Sequence, residues 1–123
     1  MRRIIVTDIY HFGEKYGAWA RSDDNIGYPA IQPFMKEAEK KSDPSVEPFD
    51  DDTGMFVHDC LLKMRRITPE HFDIFMYKFV SRLGVQQICE KLDISDTTYK
   101  RNIYAALSSL KLLVTEDKCI FLA

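Results

Sequence analysis

Residues 84–113 read GVQQICEKLDISDTTYKRNIYAALSSLKLL and contain two helical patterns joined by a short turn. We predict a short helix over residues 85–92, a tight turn at Asp93 and Ile94, and a longer helix over about residues 96–113 with Ser95 as its N-cap. A short helix, a turn of about three residues and a longer second helix are typical of the DNA-binding helix-turn-helix. A plain helical bundle produces the same pattern and stays open as the alternative.

The second of these helices carries polar side chains near its beginning and on its outward side. Residues at the start of a recognition helix are the ones that reach base edges. Lys100 and Arg101 can contact phosphates or guanine, whereas Asp96 at the entrance would repel a phosphate. The predicted DNA-binding residues are Ser95, Thr97, Thr98, Lys100, Arg101, Asn102 and Tyr104.

Helical patterns also precede this stretch. We predict a helix over residues 53–64, and another that starts at Thr68 and Pro69 and is broken by Gly84. Residues 4–20 fit a first helix, in which Gly13 and Gly17 allow another backbone to approach closely. A short helix is expected near residues 33–41, followed by a linker over residues 40–52.

These patterns predict one all-α domain over residues 1–123, with an N-terminal helical part over 1–64 and a helix-turn-helix part over 68–113. The apolar tail at residues 119–123 forms a strand or packs on the core or on a partner. One aspartate of the run Asp50-Asp51-Asp52 is expected to cap the helix that follows it, which explains the run without a metal site.

Composition narrows the class of protein further. The 123 residues are 46% hydrophobic and 29% charged, and no apolar run is long enough to cross a bilayer. The three cysteines form no C-x-x-C pair, so we expect them to be reduced and mostly buried. Since no acid/base pair, phosphate loop or nucleophile motif is present, we expect no enzyme, no catalytic residue, no metal and no cofactor.

Charge is distributed unevenly along the chain. Residues 1–62 carry 7 basic and 12 acidic side chains, and residues 63–111 carry 9 basic and 5 acidic ones. A basic half joined to an acidic half suits a protein with two different partners, although ordinary surface charge explains the numbers equally well.

A resemblance to a known family rests on four features. They are the segment Tyr16-Gly17-Ala18-Trp19-Ala20, a loop with the aromatic Tyr28, the aspartates that open a helix, and the helix-turn-helix. Their order and spacing over roughly residues 10–113 resemble the small antitermination Q proteins of lambdoid phages, of the phage 21 type. Tyr16 stands where that family has tryptophan, and Pro48 and Phe49 stand where it has cysteines.

The resemblance implies a protein that binds DNA near a late promoter and loads onto RNA polymerase paused there with its sigma factor. It would then make the polymerase read through pauses and terminators, as a ring at the RNA exit channel in the phage 21 type. The family's helix-turn-helix resembles the promoter-reading region 4 of sigma factors.

The implied partners are double-stranded DNA, host RNA polymerase with sigma, nascent RNA and a second copy on DNA, in the host cytoplasm and without a membrane. The acidic half would meet polymerase. Candidate contacts are Trp19, Asp50, Asp51 and Asp52. The alternative is that the tryptophan is a core residue and that the acids belong to solvated loops.

Two other functions stay open. A simple helix-turn-helix repressor or activator would bind an inverted repeat as a dimer and leave termination unchanged. A helical adaptor that does not bind DNA would tolerate charge reversal of Lys100 and Arg101.

Overall fold

The computed structural model describes residues 4–6, 8–22, 28–36, 46–117 and 119–121. Within them, six helices and two short strands follow one another along the chain. They are β1 (Ile4–Val6), α1 (Ile9–Ala20), α2 (Gln32–Lys36), α3 (Asp51–Ile67), α4 (Pro69–Phe79), α5 (Val85–Leu92), α6 (Asp96–Asp117) and β2 (Cys119–Phe121). The predicted helical class is confirmed. None of the described helices combines the length and the apolar character that a membrane span needs.

Residues 119–121 of the tail form a strand, which is one of the alternatives expected for it. Strand β2 pairs in parallel with β1, with Ile4 opposite Cys119 and Val6 opposite Phe121. The prediction of a helix from residue 4 onwards is therefore wrong at its start. Helix α1 begins only at Ile9, because the Asp8 carboxylate accepts hydrogen bonds from the amides of Tyr10 (3.0 Å) and His11 (3.4 Å) and caps the helix.

The core lies where α4 packs against α1, α3 and α6. Large apolar side chains at helical spacing supply it, as the sequence predicts. Fully buried examples come from all four helices: Tyr16 in α1, Leu61 in α3, Phe75 in α4 and Leu110 in α6. Helix α6 therefore packs against the other helices through its inward side.

The middle of the chain is partly described. Helix α2 starts close to the expected position, and residues 37–45 of the predicted helix and linker lie outside the described residues. Residues 46–50 have no regular structure, and α3 begins at Asp51 rather than at residue 53. Asp50 is the aspartate that caps α3, since its carboxylate accepts from the amide of Thr53 at 2.8 Å.

The connection from α4 to α5 differs from the prediction. Helix α4 ends at Phe79, before Gly84, and the residue with a left-handed backbone is Arg82 (φ 59°). Gly84 has an ordinary extended backbone and begins α5 instead, where its N–H donates to Gln87 Oε1 at 2.9 Å. Thr68 precedes α4 as predicted, but its hydroxyl donates back to the Met64 carbonyl at 3.4 Å and does not cap α4.

Candidate nucleic-acid interface

The turn between α5 and α6 has the predicted length. Helix α5 ends at Leu92 and α6 begins at Asp96. Asp93 adopts a left-handed backbone (φ 54°, ψ 53°), and the N–H of Ile94 donates to the Cys89 carbonyl at 3.0 Å. These features close α5 and redirect the chain within three residues.

Ser95 caps α6 as predicted. Its hydroxyl oxygen accepts from the Thr98 amide at 3.1 Å, and the Ser95 hydroxyl also lies 3.0 Å from the Thr98 hydroxyl, to which it donates. Both side chains are therefore used in holding the start of α6. The Asp96 carboxylate accepts from the Cys89 thiol at 3.8 Å, which ties it to α5.

Helix α6 is anchored by its inward side. Tyr99, Ala106, Leu110 and Val114 are buried. In α5, Ile88 is buried and Val85 is exposed. Apolar spacing predicts one face made of Val85, Ile88, Cys89 and Leu92. This prediction is wrong for Val85, and the buried stripe of α5 begins at Ile88.

The predicted DNA-binding residues divide into two groups. Thr97, Lys100, Arg101 and Tyr104 are exposed and share the outward side of α6, with Tyr104 at 75% exposure. Ser95 is exposed at the cap, whereas Thr98 and Asn102 are partly buried on the flanks. The structure thus gathers four of the seven residues on one face of one helix.

The same face continues beyond the residues that the sequence analysis selected. Lys111, Leu112 and Thr115 are exposed about two to three turns beyond Tyr104 along α6, and Leu112 is 69% exposed. These three residues could have been predicted by extending the helical period of Thr97, Lys100, Arg101 and Tyr104 beyond Tyr104. Hereafter, "the outward face of α6" means Thr97, Lys100, Arg101, Tyr104, Lys111, Leu112 and Thr115.

The candidate polymerase contacts lie at the junction of α1 with α3. Trp19 is only 2% exposed, and its indole N–H donates to the Asp51 carboxylate at 3.1 Å. Its position agrees with the core interpretation and argues against direct contact with a partner. Asp50 caps α3, and Asp52 is exposed in the first turn of that helix.

A buried polar pair lies below this junction. The Tyr16 hydroxyl and His58 Nδ1 form a hydrogen bond of 3.0 Å, and both side chains are buried. The pKa of His58 is lowered, and burial is the main cause. Of the neighbouring charges, Asp59 raises this pKa and Arg65 lowers it. Across residues 8–22, 28–36 and 46–117, no cluster of three or more His, Cys, Asp or Glu side chains is placed to hold a metal ion.

Comparison with known proteins matches most of the chain to one family. The model of the family described as "Phage antitermination protein Q" matches residues 6–117. An uncharacterized protein of Haemophilus influenzae is 31% identical over 72 residues, which are 58% of this chain and 78% of that protein. No solved structure matches the chain. The matched region includes all six helices.

Proposed function

The chain belongs to the phage antitermination protein Q family, and we propose that it binds DNA near a late promoter through the outward face of α6. From there it loads onto RNA polymerase paused close to the promoter with its sigma factor. The polymerase then reads through pauses and terminators. The observation that carries the proposal is the exposed group of Thr97, Lys100, Arg101 and Tyr104 at the start of a helix that follows a three-residue turn.

The geometry of α5 and α6 supports DNA binding. A recognition helix must present its first turns to the major groove. Helix α6 meets that requirement, because its inward residues Tyr99, Ala106 and Leu110 are buried against the domain and leave its opposite side uncovered. Among the described residues, α5 contacts both α4 and α6, which fixes the pair to the core.

The charges on this face support the same partner. Lys100, Arg101 and Lys111 lie on the outward face of α6, and no acidic side chain is among the residues that define it. Asp96 is hydrogen-bonded to Cys89 but is exposed at the start of α6, where it opposes binding of a phosphate. Three cations give a modest phosphate attraction, which is sufficient if polymerase contributes the rest of the affinity.

The acidic N-terminal half is the proposed polymerase side. Asp50 and Asp51 have structural roles, as the cap of α3 and as the acceptor of Trp19. Asp52 is exposed beside them and is the aspartate of the three that we expect to meet a basic surface of polymerase. In the proposed arrangement, α6 selects the DNA element and the start of α3 contacts the enzyme.

DNA binding is tested with the purified chain and a labelled duplex that carries the native late promoter. We expect saturable binding that is lost in the double variant Lys100→Glu, Arg101→Glu. Arg66→Glu is the control for charge reversal away from α6, because Arg66 is an exposed arginine at the end of α3. Equal binding by the double variant and the wild type would remove α6 as the DNA-contacting helix and favour the adaptor hypothesis.

A further inference from the structure

A polar cavity of about 180 Å³ lies between α1, the end of α4 and the chain that follows α4. Three of its lining residues are basic and come from separate parts of the sequence, and one is acidic. The lining residues are Tyr10, Glu14, Arg21, Val46, Lys78, Phe79, Arg82 and Leu83. The described lining therefore carries a positive charge inside a concave surface, which attracts anions more strongly than the same charges on an open face.

Arg21 is held in place at the end of α1. One of its guanidinium nitrogens, Nη1, donates to the carbonyl oxygens of Phe79 (2.6 Å) and Val80 (3.4 Å) at the end of α4. A guanidinium has five N–H donors in a rigid plane, so it can serve these carbonyls and further acceptors together. The two carbonyls thus fix the orientation of a planar cation at the wall of the cavity.

Arg82 lies in the cavity wall and has an unfavourable backbone conformation. Its φ of 59° is in the left-handed region, which costs a residue with a Cβ about 1–2 kcal/mol relative to glycine. Such backbone outliers cluster at active sites and ligand-binding sites. The left-handed turn brings Arg82 to the same cavity as Lys78, one turn back in the sequence.

Lys78 keeps its charge although it is partly buried. Burial lowers the pKa of Lys78, but hydrogen bonding to Tyr10 and the neighbouring Tyr99 outweighs burial, and the net shift is upward. Its ammonium also lies 5.4 Å from the centre of the Tyr10 ring. Lys78 therefore remains a cation next to the two phenols, and it lines the cavity.

We propose that this cavity binds a phosphate group through Arg21, Lys78 and Arg82. Two guanidinium groups and an ammonium are the donors that proteins use for phosphate, because its oxygens accept several charge-assisted hydrogen bonds at once. The site is distinct from the outward face of α6, since Tyr99, the α6 residue next to Lys78, lies on the buried side of that helix. It does not depend on the function proposed above.

The phosphate can come from a nucleic-acid backbone or from a free nucleotide, and the test separates the two. The ¹⁵N-labelled full chain is titrated with inorganic phosphate, with ADP and with a short DNA duplex of arbitrary sequence, and amide shifts are followed. The key variant is Arg82→Gly, which removes the guanidinium and relaxes the left-handed backbone, so that the fold is preserved or stabilised. Arg66→Ala removes the same charge from the far end of α3 and is the control.

We expect saturable shifts around Arg21, Lys78 and Arg82 with at least one probe, and an affinity about tenfold lower in Arg82→Gly than in Arg66→Ala. If Arg82→Gly weakens the binding of phosphate and ADP but not of the duplex, the ligand is a free phosphate compound. If it weakens the binding of the duplex, the ligand is the nucleic-acid backbone. The proposal is overturned if none of the three probes binds saturably, or if the two variants weaken binding equally. Binding that is retained in the double variant Lys78→Gln, Arg82→Gly would also overturn the proposal.

Discussion

Gly17 lies against the backbone carbonyl of Phe79, and a Cβ on residue 17 would overlap that oxygen. Arg21, one turn further along α1, donates to the same carbonyl at 2.6 Å. The contact brings α1 directly onto the end of α4, next to the turn that leads into α5. It also explains the glycine in Tyr16-Gly17-Ala18-Trp19-Ala20 as a packing requirement.

The change Gly17→Ala is expected to destabilise the protein by about 1–3 kcal/mol, because the added methyl meets backbone, which cannot move aside as a side chain can. Urea unfolding followed by circular dichroism measures the loss. Gly84→Ala is the matched control, since a Cβ there would have its nearest neighbour at 3.6 Å, an ordinary contact. Equal losses in the two variants would contradict the close approach of α1 to α4.

Asp51 and Asp52 are expected to differ although they are adjacent in the first turn of α3. Asp51→Ala removes the acceptor of the buried Trp19 N–H and should cost about 1 kcal/mol more than Asp52→Ala. Both changes remove one charge from the same helix end, so the contribution of the helix dipole cancels in the comparison. Thermal unfolding and tryptophan fluorescence measure the difference, and identical stabilities of the two variants would contradict the Trp19 hydrogen bond.

The stability of the protein should fall as the pH is lowered from 7 to 5. Burial holds the pKa of His58 below its usual value of 6.5 in the folded state, so the unfolded chain takes up this proton first. His58 thus contributes stability that is present above pH 6.5 and is lost below it, by about 1 kcal/mol over this range. His58→Gln should flatten the pH dependence. An unchanged slope in His58→Gln would count against a neutral buried imidazole.

Arg101→Ala should weaken binding to late-promoter DNA by about 1–3 kcal/mol if Arg101 contacts a base edge. If it contacts a phosphate, the loss should be similar on all sequences, and the dependence of affinity on salt should become shallower. Fluorescence anisotropy at several salt concentrations separates these results, with Arg66→Ala as control. An affinity equal to wild type at moderate salt would remove Arg101 from the interface.

The sequence predicts the parts of the fold that local signals determine. The bounds of α5 and the start of α6 follow from apolar spacing and from Ser95, whose capping hydrogen bond depends on neighbours only three residues away. The sequence also predicts that another backbone approaches Gly17 closely, but it does not predict that this backbone is the one at Phe79. The four exposed residues of α6 follow from the same helical period.

The features that the sequence does not reveal depend on contacts between distant residues. The left-handed backbone at Arg82 is an example, because arginine has no preference for that region and the nearby Gly84 is the residue that pattern favours. The pairing of β1 with β2 joins the two ends of the chain through strands of three residues each, too short to show alternation. The cavity gathers residues 21, 78 and 82, which no local motif connects.

The most direct test of the proposed function is transcription with purified host RNA polymerase and sigma on a template that carries the native late promoter and a downstream terminator. Read-through is measured with wild type, with Lys100→Glu, Arg101→Glu, and with Arg66→Glu. The account predicts that wild type and Arg66→Glu raise read-through and that the double variant does not. DNA binding by the wild type without any rise in read-through would contradict antitermination and favour a simple regulator.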